Sequence, residues 1–273
     1  MKLEVTPLAL EHAPWSISKA SCADICPKQF EFKYILKAAQ GPQASASQVG
    51  TVSHKILELR AGGVSAKQAE TAALAETPLT TQEQEDLHTL KEAIDIFLRD
   101  FDAFCKKNGV IEVYREKKWG LDVEGNAVDF FSPKVFFRGV LDLGCLTKEH
   151  DLIVMDHKSG FAKDIQKDQK FRRQLNSYAV MGLANIEGLQ GARGMINFLQ
   201  GPVDKRRQWL EYVPAEKIGK LLTPWLYGHI CFCAEKLVPP FVAKPRLDKF
   251  PCAYCSYRPV CGAYKELERA AEI

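Results

Sequence analysis

Three side chains in the middle of the chain carry the chemistry. Asp142 closes the apolar run Phe136-Phe137-Arg138-Gly139-Val140-Leu141, and Asp156 and Lys158 sit in Ile153-Val154-Met155-Asp156-His157-Lys158. Side chains alternate along a strand, so Asp156 and Lys158 share a face. If the two runs pair as a hairpin, Asp142 approaches from the neighbouring strand. Two carboxylates and an ammonium at one spot are costly to bury without a compensating charge. A divalent cation with hard oxygen ligands, Mg²⁺ or Mn²⁺, supplies it, and such an ion polarises a phosphoryl oxygen and acidifies water. Lys158 then orients the attacking water or offsets charge on the phosphate. The plainer reading is a structural Asp–Lys pair at a strand end. Glu116, in Tyr114-Arg115-Glu116, is either a further acid of the site or a solvent-facing strand residue.

A second group is made of thiols. Nine cysteines stand at 22, 26, 105, 145, 231, 233, 252, 255 and 261. An odd number in a chain of this size does not suit a complete disulfide framework, and a reducing cytosol is the expected setting. Cys252, Cys255 and Cys261 are spaced C-x2-C-x5-C, close enough to wrap one metal centre that lacks a fourth ligand. Zinc held with Cys22 and Cys26 as a pair, and an iron–sulfur cluster, both fit this spacing. Cys105, Cys145, Cys231 and Cys233 fall in apolar patterns and read as packing residues.

Positive charge follows the Asp-x-Lys strand. Lys163, Lys167, Lys170, Arg172 and Arg173 stand against Asp164 and Asp168, and Lys205-Arg206-Arg207 forms a second cluster. Such groups either hold phosphates or form a solvated face. Phe161 and Phe171 either stack on bases or pack in the core. No finger or helix-turn-helix pattern reads base edges, so sequence specificity is not expected.

The elements that position these residues follow from periodicity. Apolar residues at three- and four-residue spacing predict a helix over 81–107, with Thr81 as N-cap and Asn108-Gly109 as its end. Shorter helices are expected at 50–60 and 64–75, and Ser16 or Ser18 caps an N-terminal one. The period then becomes two, predicting strands at 110–119, 127–131, 134–145 and 151–157. A helix over 165–184, strands at 191–199 and 208–213, a helix over 214–233 and a Pro- and Cys-rich tail complete the order. This is an α/β chain with a mixed central sheet and a helical layer in front. Of the 273 residues, 46% are hydrophobic and 26% charged, which excludes wholesale disorder. The net charge of +3 does not by itself name a polyanionic partner. No window suits a membrane span or a targeting segment, and no phosphate-binding G-x-x-x-x-G-K-[ST] motif points to a nucleotide-driven motor.

Five segments in order resemble the PD-(D/E)XK nuclease superfamily in its RecB-like exonuclease branch. Gly139-Val140-Leu141-Asp142 and Asp156-His157-Lys158 look like its G-x-x-D and D-x-K motifs. Gly50-Thr51-Val52-Ser53-His54 looks like G-x-x-x-H, Gln174 and Tyr178 like Q-x-x-x-Y, and Cys26-Pro27-Lys28-Gln29-Phe30 like C-P-x-x-F. Leu141 departs from the Pro that often precedes the first acid. The resemblance implies a restriction-endonuclease-like fold, with His54, Asp142, Asp156 and the His157 backbone carbonyl as metal ligands. It implies Lys158 as catalytic lysine, with Gln174 and Tyr178 in support. It also nominates Cys26 as the fourth ligand, beside Cys252, Cys255 and Cys261, of a structural 4Fe-4S cluster, as in CRISPR-associated RecB-like nucleases and the AddB nuclease module. The expected organisation is one nuclease domain over 1–273. Within it lie a helical layer at 16–110, a catalytic core at 111–213 and an Fe–S segment at 237–265 closing onto Cys26. The expected activity is metal-dependent hydrolysis of DNA, exonucleolytic and favouring single strands, in the cytoplasm, with protein partners in recombination or DNA processing. The alternative is a non-catalytic DNA-end-binding or assembly protein that keeps the nuclease fold.

Overall fold

The computed structural model describes residues 3–41, 45–243, 245–246 and 249–271. Along the chain run α1 (Pro7–Glu11), α2 (Ile17–Ile25), α3 (Pro27–Phe30), α4 (Ser45–Ala61), α5 (Ala66–Glu76), α6 (Thr81–Lys107), β1 (Val110–Leu121) and β2 (Ala127–Val128). Then come β3 (Phe137–Thr147), β4 (Asp151–Phe161), α7 (Gln169–Asn185), β5 (Gly191–Gln200), β6 (Arg207–Trp209), β7 (Val213–Pro214), α8 (Ala215–Lys217), α9 (Thr223–Ala234) and α10 (Gly262–Ala271). The chain divides into two compact units, Ser45–Leu226 and the two ends Met1–Ala44 with Tyr227–Ile273. The boundaries therefore fall after 44 and 226, and the expected helical layer at 16–110 is shared between the units.

The larger unit holds a seven-stranded mixed sheet in the order β2-β1-β3-β4-β5-β6, with β7 also on β5. β4 and β5 are parallel, joined by α7, and the other pairs are antiparallel. One face carries α4, α5 and α6. Val52, Ile56, Leu87, Leu90, Ile94 and Phe97 pack there against Leu143, Cys145, Ile153, Met155 and Met195. The predicted stripe on α6 is the one buried, but its cap is Thr80, one residue earlier than expected. Thr80 and Glu83 cap each other's backbone N–H, and the Glu83 carboxylate also suits the positive end of the helix.

The opposite face carries α7, which starts at Gln169 rather than 165 because Asp168 caps it, accepting from the Lys170 N–H at 2.9 Å. Residues 129–136 form turns, not the strand ends expected at 127–131 and 134–145. Asp129 holds the Phe131 N–H at 2.8 Å, and Phe136 N–H rejoins Leu121 at 2.7 Å. The helix expected over 214–233 is interrupted by a π turn at Ile218–Leu222. No helix among the described residues is long and apolar enough to cross a membrane.

Two motif glycines set how closely the helices approach the sheet. A Cβ on Gly50 of α4 would lie 3.0 Å from Ser159 Oγ, and one on Gly139 of β3 would lie 2.6 Å from the Met181 methyl of α7. They bring α4 down onto the end of β4, and α7 down onto β3.

The β1–β3 ladder shifts register between Val110 and Glu112 and is interrupted again farther along. Arg115 pairs with Leu143 and Lys117 with Leu141, while Glu116 and Asp142 between them are not paired. Glu116 has φ 43°, a left-handed conformation that costs a side-chain-bearing residue about 1–3 kcal/mol. Alternation in β3 slips at this point. Gly139 faces α7 whereas Leu143, four residues on, faces α4–α6. The β3–β4 ladder also ends here, its last pair being Leu143 with Met155.

Candidate active site

The slip at Asp142 and the end of the β3–β4 ladder open a gap between two central strands, and the motif residues converge on it from both faces of the sheet. From the α4 side, His54 Nδ1 lies 3.3 Å from Asp142 Oδ2. The same oxygen accepts the backbone N–H of His157 at 3.0 Å. From the α7 side, Gln174 Nε2 donates to Asp156 Oδ1 at 2.7 Å and to the Tyr178 hydroxyl at 3.1 Å. Lys158 Nζ stands 2.5 Å from Asp156 Oδ2. That oxygen is fully buried, and the lysine contact does not have hydrogen-bond geometry, so it accepts no hydrogen bond. Gln174 and Tyr178 are one helical turn apart on α7, which is why the amide reaches both the acid and the phenol.

The carboxylates differ in their surroundings. Burial would raise Asp142, but the His54 imidazole outweighs it, with His157 and Lys158 adding to the pull, and its pKa lies below the usual range. Burial dominates at Asp156, and Asp142 adds to it, so its pKa is raised despite Lys158. Burial works against a charged His54, yet the hydrogen bond and charge of Asp142, with Asp156, raise its pKa. Burial likewise keeps the Tyr178 hydroxyl protonated, helped by the two acids. His157 is buried and neutral. Desolvation drives its pKa down to about 3. Its ring turns away from the acids to Asn197 Nδ2 at 3.1 Å and the edge of Phe97, so its imidazole is a packing group.

Glu116 belongs to the site rather than to solvent. With His54, Glu58 and Asp142 it lines an open cavity of about 410 Å³. Burial, then Asp142 and Glu58, push its carboxyl up to about 7. A raised folded-state pKa makes the charged form the unfavourable one. The cost is absent below the unfolded value of 4.5 and complete above about 7. In EDTA, Glu116→Gln should therefore raise the melting temperature at pH 8 by several degrees. That corresponds to about 1–2 kcal/mol once half-exposure is discounted. The gain should vanish by pH 4.5, and an equal gain at both pH values would remove the electrostatic cause.

The basic residues after the strand stay at the surface. Lys163 and Lys167 lie in the loop before α7 rather than on the helix, Lys167 paired with Asp164 at 3.3 Å. Lys170 and Arg172 are exposed on α7, and Arg173 donates to Gln169 at 3.2 Å. In the second cluster, Arg207 is bound to Asp100 at 2.9 Å and Arg206 to the Gly201 carbonyl at 2.9 Å. Phe171 packs edge-on against Phe198, whereas Phe161 is 69% exposed.

In the smaller unit, Cys26, Cys252, Cys255 and Cys261 line one cavity. All are unpaired thiols. Cys26 and Cys255 are raised by burial. Cys252 and Cys261 add to both, and Cys26 adds to Cys255. Cys22 lies a helical turn before Cys26, buried, pushed up to about 12 by desolvation, and is not among the residues lining the cavity. Cys145, Cys231 and Cys233 are buried and Cys105 half-buried, as packing residues. Among the described residues, no three His, Cys, Asp or Glu side chains are gathered tightly enough to clasp one ion, either here or in the sheet.

Comparison with known proteins bears on this arrangement. No curated protein matched the sequence. Among solved structures, a "Putative exonuclease" from Eubacterium rectale superposes with a TM-score of 0.52 at 10% identity, covering 95% of this chain and 90% of its own. A protein named SSO0001 gives 0.43 at 14% identity, covering 94% and 93%. The first likeness is one of fold. A family model for the PD-(D/E)XK nuclease superfamily matches residues 14–262, a span that takes in both carboxylates, the β4 lysine and the sheet that holds them. The chain belongs to the PD-(D/E)XK nuclease superfamily.

Proposed function

We propose that this nuclease is a metal-dependent deoxyribonuclease that acts as an exonuclease on single strands. The observation that carries the reading is the gap between β3 and β4, where Asp142 and Asp156 meet with His54 on one side and Lys158 on the other. The donor set fits Mg²⁺ or Mn²⁺: carboxylate oxygens, one of them buried without a hydrogen bond, and an imidazole. His54, Asp142, Asp156 and the His157 carbonyl would hold the ion. When bound, the ion polarises the phosphoryl oxygen and acidifies water.

The chain's own groups do the rest. Gln174 fixes the Asp156 carboxylate, and Tyr178 accepts the second amide hydrogen of Gln174, so Asp156 keeps one rotamer. The Lys158 ammonium, partly exposed, faces the substrate phosphate, orients the attacking water and offsets the negative charge that grows during attack. A cation held by His54 would need its imidazole neutral, so binding would compete with the proton that Asp142 favours there. The exonuclease assignment draws support from the Eubacterium rectale neighbour, and DNA and single-strand preference extend the superfamily reading.

The thiol cavity fits a 4Fe-4S cluster. What supports it is that Cys26 and the C-x2-C-x5-C thiols Cys252, Cys255 and Cys261, from the two ends of the chain, line the same cavity. The cluster's role in this reading is structural.

The test uses end-labelled single- and double-stranded DNA and RNA with Mg²⁺ or Mn²⁺. Stepwise shortening of single-stranded DNA is expected, and none in EDTA. Binding of DNA ends without cleavage in either metal would replace this reading with a non-catalytic end-binding protein.

A further inference from the structure

Beside the gap, at the outer edge of the sheet, the structure carries aromatic and cationic groups that the reaction does not use. β2 covers β1 only at Gly120 and Leu121. Next to this short pairing, the turn at 129–136 presents Phe130 and Phe131, whose rings meet edge to face at 5.0 Å. Phe131 is 71% exposed. Lys118 Nζ lies 5.9 Å from the Phe130 ring and 5.5 Å from Phe131, and the Arg138 guanidinium lies 4.9 Å from Phe130. Lys117 stands over Tyr114 at 5.9 Å. Tyr114, Lys117, Lys118, Phe130 and Phe131 border an open groove of about 630 Å³, and Arg138 stands behind it on Phe130.

The groove's two acids are occupied locally. Asp129 takes the Phe131 N–H, and Glu112 takes the Tyr114 hydroxyl at 2.9 Å. Arg138 also reaches the Phe130 carbonyl at 3.5 Å, so the turn is held while the Phe131 face stays open to solvent. Phe131 is exposed beside the Lys118 ammonium, and Phe130 beneath it has both Lys118 and Arg138 on its ring, an arrangement that buries little apolar surface. The apolar Phe131 face gains from a flat apolar partner, and the cations gain from a polyanion. A nucleic-acid strand offers both, whereas a folded acidic protein offers the charge without the flat face.

Position supports this. Lys117 adjoins Glu116. Lys118 pairs with Val140, two residues from Asp142, or about 7 Å along the strand. Arg138 is four residues away, about 13 Å. A strand leaving the gap along this edge meets the rings within a few nucleotides.

We propose that Phe130 and Phe131, with Lys117, Lys118 and Arg138, form a stacking platform that holds single-stranded nucleic acid as it enters or leaves the gap. The proposal rests on the nuclease reading. It is tested without turnover, by fluorescence anisotropy of the whole protein in EDTA. The probes are labelled twelve-nucleotide oligo-thymidine and the same backbone without bases. Phe131→Ala, at an exposed position, should weaken binding of the thymidine strand about tenfold, the scale of one lost base–aromatic stack, and leave the baseless strand unchanged. Lys118→Ala should weaken both strands and reduce the slope of log affinity against log salt by about 0.7. Equal affinity of wild type and Phe131→Ala for thymidine, or equal loss on both strands, overturns the platform. So does polyglutamate displacing the strand as well as unlabelled thymidine does, which would make this an acidic-peptide surface. Wild-type cleavage with Mn²⁺, measured separately, decides the nuclease reading, so the two can fail independently.

Discussion

Lys158→Ala lowers turnover of end-labelled single-stranded DNA by about a thousandfold or more, with the melting temperature within a few degrees of wild type. The magnitude follows from removing one preorganised charge aimed at the developing negative charge of the phosphate. The unchanged fold follows from the lysine's place: it is partly exposed and touches Asp156 with its ammonium alone. Asp156→Asn should show a comparable loss for a different cause. It keeps an oxygen for Gln174 but gives up the charge the cation needs, so weaker cation loading should appear as a smaller thermal shift on adding Mn²⁺. Lys158→Ala should retain that shift. Cleavage above a tenth of the wild-type rate in both variants would falsify the catalytic assignment.

The second large effect is expected at the thiols. Protein purified without oxygen should be brown and contain iron, and Cys255→Ala should lose both colour and iron. Its melting temperature should fall by about 10–20 °C. Cys26 and Cys252 are separated by more than two hundred residues, and cross-linking so long a loop is worth about 5 kcal/mol by the chain-entropy relation. Cys231→Ala, at a buried packing position, should keep the iron. A colourless wild type carrying one zinc per chain would replace the cluster with a single ion.

The motif strands, the α6 stripe and the helix pair Gln174–Tyr178 were legible because each depends on local spacing. The acid–lysine pairing of Asp156 and Lys158 follows from alternation along one strand, and it holds. What was not legible depends on departures from alternation. Nothing in Tyr114-Arg115-Glu116 marks Glu116 as a residue in left-handed backbone, and without that twist a strand glutamate on an edge reads as solvated. Asn197 is silent in sequence as well. Its partner is the His157 ring, forty residues away, and the bond exists only because β4 and β5 run parallel in register. The charge run 163–173 straddled the helix start expected at 165, but Asp168 caps the helix later and leaves Lys167 as well as Lys163 in the loop. Residues 129–131 and 134–136 read as strand ends because Phe130, Phe131 and Phe136 look like core residues; turn hydrogen bonds to Asp129 decide otherwise.

The bond from the His157 N–H to Asp142 bears on how the site is dissected. Where β3 and β4 part, a buried main-chain donor loses its cross-strand acceptor, and the Asp142 side chain replaces it. Asp142 is thus a patch on an interrupted ladder as well as a proposed ligand. Alanine at this position removes the patch and orphans the donor, at a cost of about 1–3 kcal/mol unrelated to cation or substrate. Asparagine keeps an oxygen in place while discarding the charge. Of the two acids, then, Asp142 is the one whose alanine variant confounds loss of ligation with loss of strand spacing, and whose amide variant separates them.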